Sequence, residues 1–213
     1  MNNPAAAQAK AQAKFQQGVA LHQSGRLAQA REIYRQVLKL QPGHFDALYL
    51  LGLIAAQTNH FEQAVELFDR AIEINPAHAE VHNNRGNALL ELKRPDAAIE
   101  SYDRAIALKP DYALAYFNRG KALTDLKRLQ AAIDSYDRVI GLTPDDAEAH
   151  RNRGVALHEL KQLDTAIESF DRAIALNPRD ADLHRNRGDT LQALKRFDAA
   201  IESYDRAIAL NPR

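Results

Sequence analysis

One thirteen-residue phrase recurs along this chain. AIESYDRAIALKP stands at residues 98–110, AIDSYDRVIGLTP at 132–144, AIESFDRAIALNP at 166–178 and AIESYDRAIALNP at 200–212, each 34 residues after the last. Gly18, Gly52, Gly86, Gly120, Gly154 and Gly188 keep the same step, as do Pro42, Pro76, Pro110, Pro144, Pro178 and Pro212, without an insertion. A fixed period between about 20 and 50 residues marks a stack of like units, each burying its apolar face against its neighbours. The units are 11–44, 45–78, 79–112, 113–146, 147–180 and 181–213, with residues 1–10 ahead of them as a helical extension or cap.

Within a unit the apolar spacing is helical. Val81, Ala88, Leu89 and Leu92 fall on one stripe, and Ala98, Ile99, Tyr102, Ala105, Ile106 and Leu108 on a second. Residues 93–96 form the expected turn between the two helices. Pro110 ends the second helix, because proline lacks an N–H and disfavours helix in the residue before it. Asp111, Asp145, Asp146 and Asp180 lie where a carboxylate caps the next helix. The expected fold is all-α: antiparallel helix pairs, six times over.

The glycine sits in mid-helix, where it costs about 1 kcal/mol against alanine. Close approach of the partner helix, at Ala30, Ala64, Ala98, Ala132, Ala166 and Ala200, is the expected compensation. An aromatic residue follows four positions on, at Tyr34, Phe68, Tyr102, Tyr136, Phe170 and Tyr204.

Glycine, alanine twelve on, an aromatic sixteen on, a small residue nineteen on and proline twenty-four on together resemble the tetratricopeptide repeat family. The resemblance implies a right-handed superhelical solenoid whose first helices line a concave face. Two departures stand out. The residue before the glycine, large and apolar in the family, is Leu51 in one unit but Arg85, Arg119, Arg153 and Arg187 in four others. The position four before it is Lys14, Leu48, His82, Tyr116, His150 and His184. Both make the implied packing softer and more polar.

The second helices carry Glu66, Glu100, Asp134, Glu168 and Glu202, each four residues before an arginine, and these are expected to form ion pairs on a solvated outer face. The first helices differ. Two residues before the glycine stand Asn84, Asn118, Asn152 and Asn186. An asparagine amide both donates and accepts, which suits the backbone of an extended peptide. The series resembles the asparagine ladder of O-GlcNAc transferase-like repeat domains, and the NRG and DRAIAL wording is similar to repeat regions of bacterial glycosyltransferase-associated proteins. Beside the ladder, Tyr49, Asn83, Phe117, Lys121, Arg151 and Arg185 vary and are the candidates for specificity. They predict a peptide or protein ligand with an apolar segment for the first units and an acidic one for the basic last units. The family's clamp for chaperone C-termini needs a lysine followed four residues later by asparagine, and no unit has that pair.

Other chemistry is thin. Lysine plus arginine and aspartate plus glutamate both number 28, which gives no electrostatic footprint for nucleic acid. There is no cysteine, no Gly-rich phosphate loop and no nucleophile elbow. His78 and His82 are four apart, but His78 falls at a turn and no metal site is expected. No apolar run reaches the roughly 18 residues of a membrane span, and the first residues lack a secretory leader's apolar core. The expectation is a cytoplasmic, bacterial, non-catalytic scaffold without cofactor, binding an extended peptide. Two alternatives remain: a substrate-recruiting region of a larger glycosyltransferase-like enzyme, or a module that self-assembles through the exposed last helix, where Ile201, Ile208 and Leu210 lack a following unit.

Overall fold

The computed structural model describes residues 4–212, so residues 1–3 of the expected extension lie outside the described residues. These residues form twelve α-helices and no strand. They group into two compact units that divide between Pro110 and Asp111. The first unit holds α1 (Pro4–Gln23), α2 (Leu27–Leu40), α3 (Phe45–Gln57), α4 (Phe61–Ile74), α5 (Ala79–Glu91) and α6 (Pro95–Leu108). The second holds α7 (Ala113–Asp125), α8 (Leu129–Leu142), α9 (Ala147–Glu159), α10 (Leu163–Leu176), α11 (Ala181–Ala193) and α12 (Phe197–Leu210). Odd-numbered helices carry the glycine, and each packs on the even-numbered helix that follows it.

The turn inside each pair is tighter than expected. Pro95 and Asp96 belong to α6, with proline in the first turn, where its missing N–H leaves no helical bond unmade. Residues 92–94 make the reversal. Lys93 takes φ 58°, and the Lys93 and Arg94 amides return to the Leu90 and Leu89 carbonyls at 3.0 and 2.9 Å. Gly25, Asn59, Lys127, Lys161 and Lys195 hold the same left-handed position, a common way to end a helix. Of the aspartates expected as caps, Asp146 accepts from the Ala149 amide and Asp180 from the Asp182 amide. Asp145 instead meets Arg172 at 2.8 Å, and at Asp111 it is the backbone carbonyl that accepts, from Ala113.

The mid-helix glycines answer to a ring rather than to the alanine. A Cβ on Gly86 would stand 2.5 Å from Tyr102, on Gly52 2.6 Å from Phe68 and on Gly154 2.7 Å from Phe170. One edge of the ring packs on first-helix backbone, and Tyr34, Phe68 and Tyr102 are fully buried there. Filling that contact would cost about 1–3 kcal/mol of overpacking, more than the helix propensity lost to glycine. In α12, by contrast, Phe197, Ile201 and Ile208 are 58, 57 and 61% exposed.

The arginines before the glycine are where the structure departs most from a soft, polar contact. Arg85 Nε donates to Asp69 at 2.6 Å and its NH1 to Ser101 Oγ at 2.7 Å. Arg153 repeats this with Asp137 and Ser169, and Arg187 with Asp171 and Ser203, at the same distances. Arg119 donates to Ser135 at 2.7 Å. One guanidinium thus ties a first helix to the second helix before it and to its own. The planar fork suits this two-ended role as an ammonium would not. Each serine donates onward to the carbonyl four residues back, as Ser169 does to Thr165.

The expected pairs along the second helices do not form among the described residues. Arg70 and Arg172 reach the preceding repeat instead, at the Pro42 carbonyl and Asp145, while Arg138 lies over the Tyr116 ring of its own repeat.

Candidate functional site

The first-helix faces were the expected site, and the two units present them differently. In the first unit the Asn84 amide donates to the Tyr49 hydroxyl at 3.0 Å. Burial pushes the Tyr49 hydroxyl above its ordinary pKa, the Glu80 charge adds to this, and the Asn84 bond opposes it. Tyr49 also stacks with Phe45 at 6.3 Å, and both rings face His78, at 5.5 and 5.1 Å. Asn83 departs from expectation. It is fully buried, its amide turned to Asn84, and lies out of a ligand's reach. Its short side chain stays between helices where the long arginines at equivalent positions extend outward.

The histidines four before the glycine serve a backbone contact. His82 Nε2–H donates to the Pro76 carbonyl at 3.0 Å, and His150 and His184 do the same to Pro144 and Pro178 at 3.0 and 3.2 Å. Each thereby satisfies the carbonyl of the proline that ends the preceding helix. Desolvation lowers the His82 pKa, favouring the neutral ring.

In the second unit the ladder opens onto hollows. Asn152 lines one of about 200 Å³ together with Lys121, Asp125, Tyr136 and Arg151. Asn186 lines another of about 170 Å³ with Val155, His158, Glu159, Phe170 and Asp189. Neither the Asn152 nor the Asn186 amide has a partner among the described residues, whereas Asn118 is engaged. Phe117 packs edge-on to Tyr136 at 6.1 Å and carries the Lys121 ammonium 5.9 Å from its centroid.

The expected basic character is offset by acids here. Arg151 pairs with Glu148 at 3.6 Å and Arg185 with Asp182 at 2.9 Å, each three residues back on its own helix. Asp125, Glu159 and Asp189 add acid to the walls. The residues four and five after the glycine, Thr124, Asp125, His158 and Glu159, were missed. Helical spacing could have found them, since asparagine two before the glycine, the residue one after and the residue five after share one stripe. The ring beneath sets the polarity of each hollow. The Tyr136 hydroxyl lies 3.3 Å from that of Thr124, while Phe170 leaves the next floor apolar beside Val155.

Known proteins agree with this architecture. A tetratricopeptide repeat family model matches residues 2–44, 15–79, 55–113, 83–147 and 162–213, and a second matches 126–185. No curated protein sequence matches the chain. Among solved structures, a MamA protein superposes with a TM-score of 0.75 at 25% identity, over 81% of this chain and 94% of that one. YrrB, described as a TPR protein with an unusual peptide-binding site, gives 0.76 at 21% identity, over 84% and 92%. PilF of Pseudomonas aeruginosa gives 0.76 at 20%, over 97% and 94%. Period, glycine–ring contact and matched family models together place the chain in the tetratricopeptide repeat family.

Proposed function

We propose that this chain is a non-catalytic interaction scaffold that holds an extended peptide along its first-helix faces. Asparagines two before the glycine contact the peptide backbone, and the hollows beside them take its side chains. The tetratricopeptide fold is a protein-interaction scaffold, and one similar structure, YrrB, is described with a peptide-binding site. The observation that carries the reading is the pair Asn152 and Asn186. Their amides have no partner among the described residues, yet each borders a hollow sized for one side chain. A surface amide is an unremarkable neighbour of water. Two amides one repeat apart, both beside hollows with an aromatic ring in the wall, form a register that an extended peptide can follow.

The hollows differ in chemistry, so the peptide's side chains are read in order. Near Tyr136 the walls mix Lys121 and Arg151 with Asp125, which suits a polar side chain. At Phe170 and Val155 the floor is apolar and the rim acidic. The test is a peptide selected from a twelve-residue display library on the intact chain. Changing Asn152→Ala and Asn186→Ala together should weaken it at least tenfold, with helicity and melting unchanged. Equal affinity for the double variant would reject the ladder as the contact.

A further inference from the structure

The arginine clip has a fixed register: the arginine before the glycine, an aspartate sixteen residues earlier, a serine sixteen residues later. In the repeat containing Gly52 all three positions change together. Leu51 replaces the arginine, Arg35 the aspartate and Leu67 the serine. Where the clip would lie there is instead a hollow of about 500 Å³ bordered by these three side chains. Leu51 and Leu67, 4 and 6% exposed, form its floor with Leu38. The repeat containing Gly18 behaves alike. Gln17 and Ile33 hold its clip positions and border a hollow of about 420 Å³, which shares Glu32 with the first.

The rim is basic. Arg35 and Lys39 of α2 and Arg70 of α4 border the larger hollow against the single acid Glu32. Arg35 and Lys39 form no ion pair among the described residues. This is a property of α2 itself, which carries Arg31, Arg35 and Lys39, while α6, α10 and α12 each carry one arginine among three acids. On α4, Gln63 and Arg70 border the hollow and Glu62 and Glu66 do not.

We propose that this vacated clip site is a second binding site, on the second-helix side of the first unit, for an acidic, leucine-bearing peptide segment of a partner protein. The partner's apolar side chain rests on Leu38, Leu51 and Leu67. Its carboxylate takes the place of the missing guanidinium and meets Arg35 and Lys39, with the charges reversed relative to the clip. Exposed charges of this kind are screened by salt, so the affinity falls as ionic strength rises.

The test uses a fluorescein-labelled twelve-residue peptide of Glu-Leu-Leu-Glu units, with a Lys-Leu-Leu-Lys counterpart, and fluorescence anisotropy on the intact chain. The acidic peptide is expected to bind and the lysine peptide to bind at least tenfold more weakly. Arg35→Glu with Lys39→Glu should cost tenfold or more. Rebuilding the clip by Arg35→Asp, Leu51→Arg and Leu67→Ser should abolish binding with melting retained. Should that triple variant fail to fold, the charge reversal still decides, because it leaves the apolar floor untouched. Asn152→Ala with Asn186→Ala should change nothing, which separates this site from the first-helix face. The proposal is overturned by no binding, by equal binding of the two peptides, or by loss in the asparagine variant instead. A peptide-free dimer in light scattering that Arg35→Glu with Lys39→Glu dissolves would give the surface to a second copy and also overturn it.

Discussion

The junction between α2 and α4 and the junction between α8 and α10 solve one problem in opposite ways. Each must close the seam between neighbouring second helices over the first helix beneath. In the second unit Arg153 closes it with two charge-assisted bonds, to Asp137 and Ser169. In the first, Leu51 and Leu67 leave the seam apolar and partly open, with Arg35 at the edge. The same backbone register therefore accepts a polar lock or an apolar floor. Position alone does not say which, only the three residues read together.

The largest effect that would sharpen this contrast is Leu51→Ala. A nearly buried leucine leaves a cavity, and the expected cost is about 2–4 kcal/mol in chemical denaturation. Arg153→Ala should cost less, about 1 kcal/mol, since its ion pair is half in solvent and Ser169 keeps its bond to Thr165. Raising salt to 1 M should shrink the arginine effect and leave the leucine effect standing. If both respond equally to salt, the two seams are not closed by different forces.

A second measurement asks what the two units share. Burial pushes the Tyr34 hydroxyl of the first unit and the Tyr136 hydroxyl of the second up to about 12. A pKa raised on folding gives stability that is whole below about pH 10 and lost as pH rises toward 12. Each tyrosine should then add to alkaline destabilisation as its hydroxyl ionises. Tyr136→Phe should remove its share while keeping the packing, because Phe68 and Phe170 already fill this position. Alkaline melting of the two single Tyr→Phe variants would show whether the units respond alike.

The smallest effect lies in the turns. Lys161 sits at φ 62° with no side-chain partner among the described residues, and Lys161→Gly should gain about 0.5–1 kcal/mol. Lys127→Gly should gain less, because Lys127 reaches Glu159 of the next repeat at 2.7 Å. An equal gain at both would show that this exposed pair contributes nothing.

The helices were legible because glycine, aromatic and proline recur without slippage and the apolar spacing between them is helical. The row of arginines was also legible, as a departure that makes the packing more polar. Its consequence was not, because a clip spans residues sixteen apart on either side, and a helical stripe shows only neighbours three and four apart. The acid–base pairs four apart misled for the same reason. Local spacing put Glu168 beside Arg172, but the turn of the preceding repeat offers Asp145. Asn83 was misplaced because one position holds side chains of very different length. The charge of the inner face was misjudged by counting Arg151 and Arg185 without the acids three residues before them.

The clip makes the chain's length editable in one place and not in another. Asp137 and Asp171 are equivalent acceptors, as Arg153 and Arg187 are equivalent donors. Loss of residues 147–180 would bring Arg187 onto Asp137 with the clip unbroken, so the clip does not by itself fix the number of repeats there. Loss of residues 45–78 would bring Arg85 onto Arg35, two like charges across a seam. As far as the clip is concerned, the second repeat is therefore fixed in its place by its neighbours, and the later ones are not.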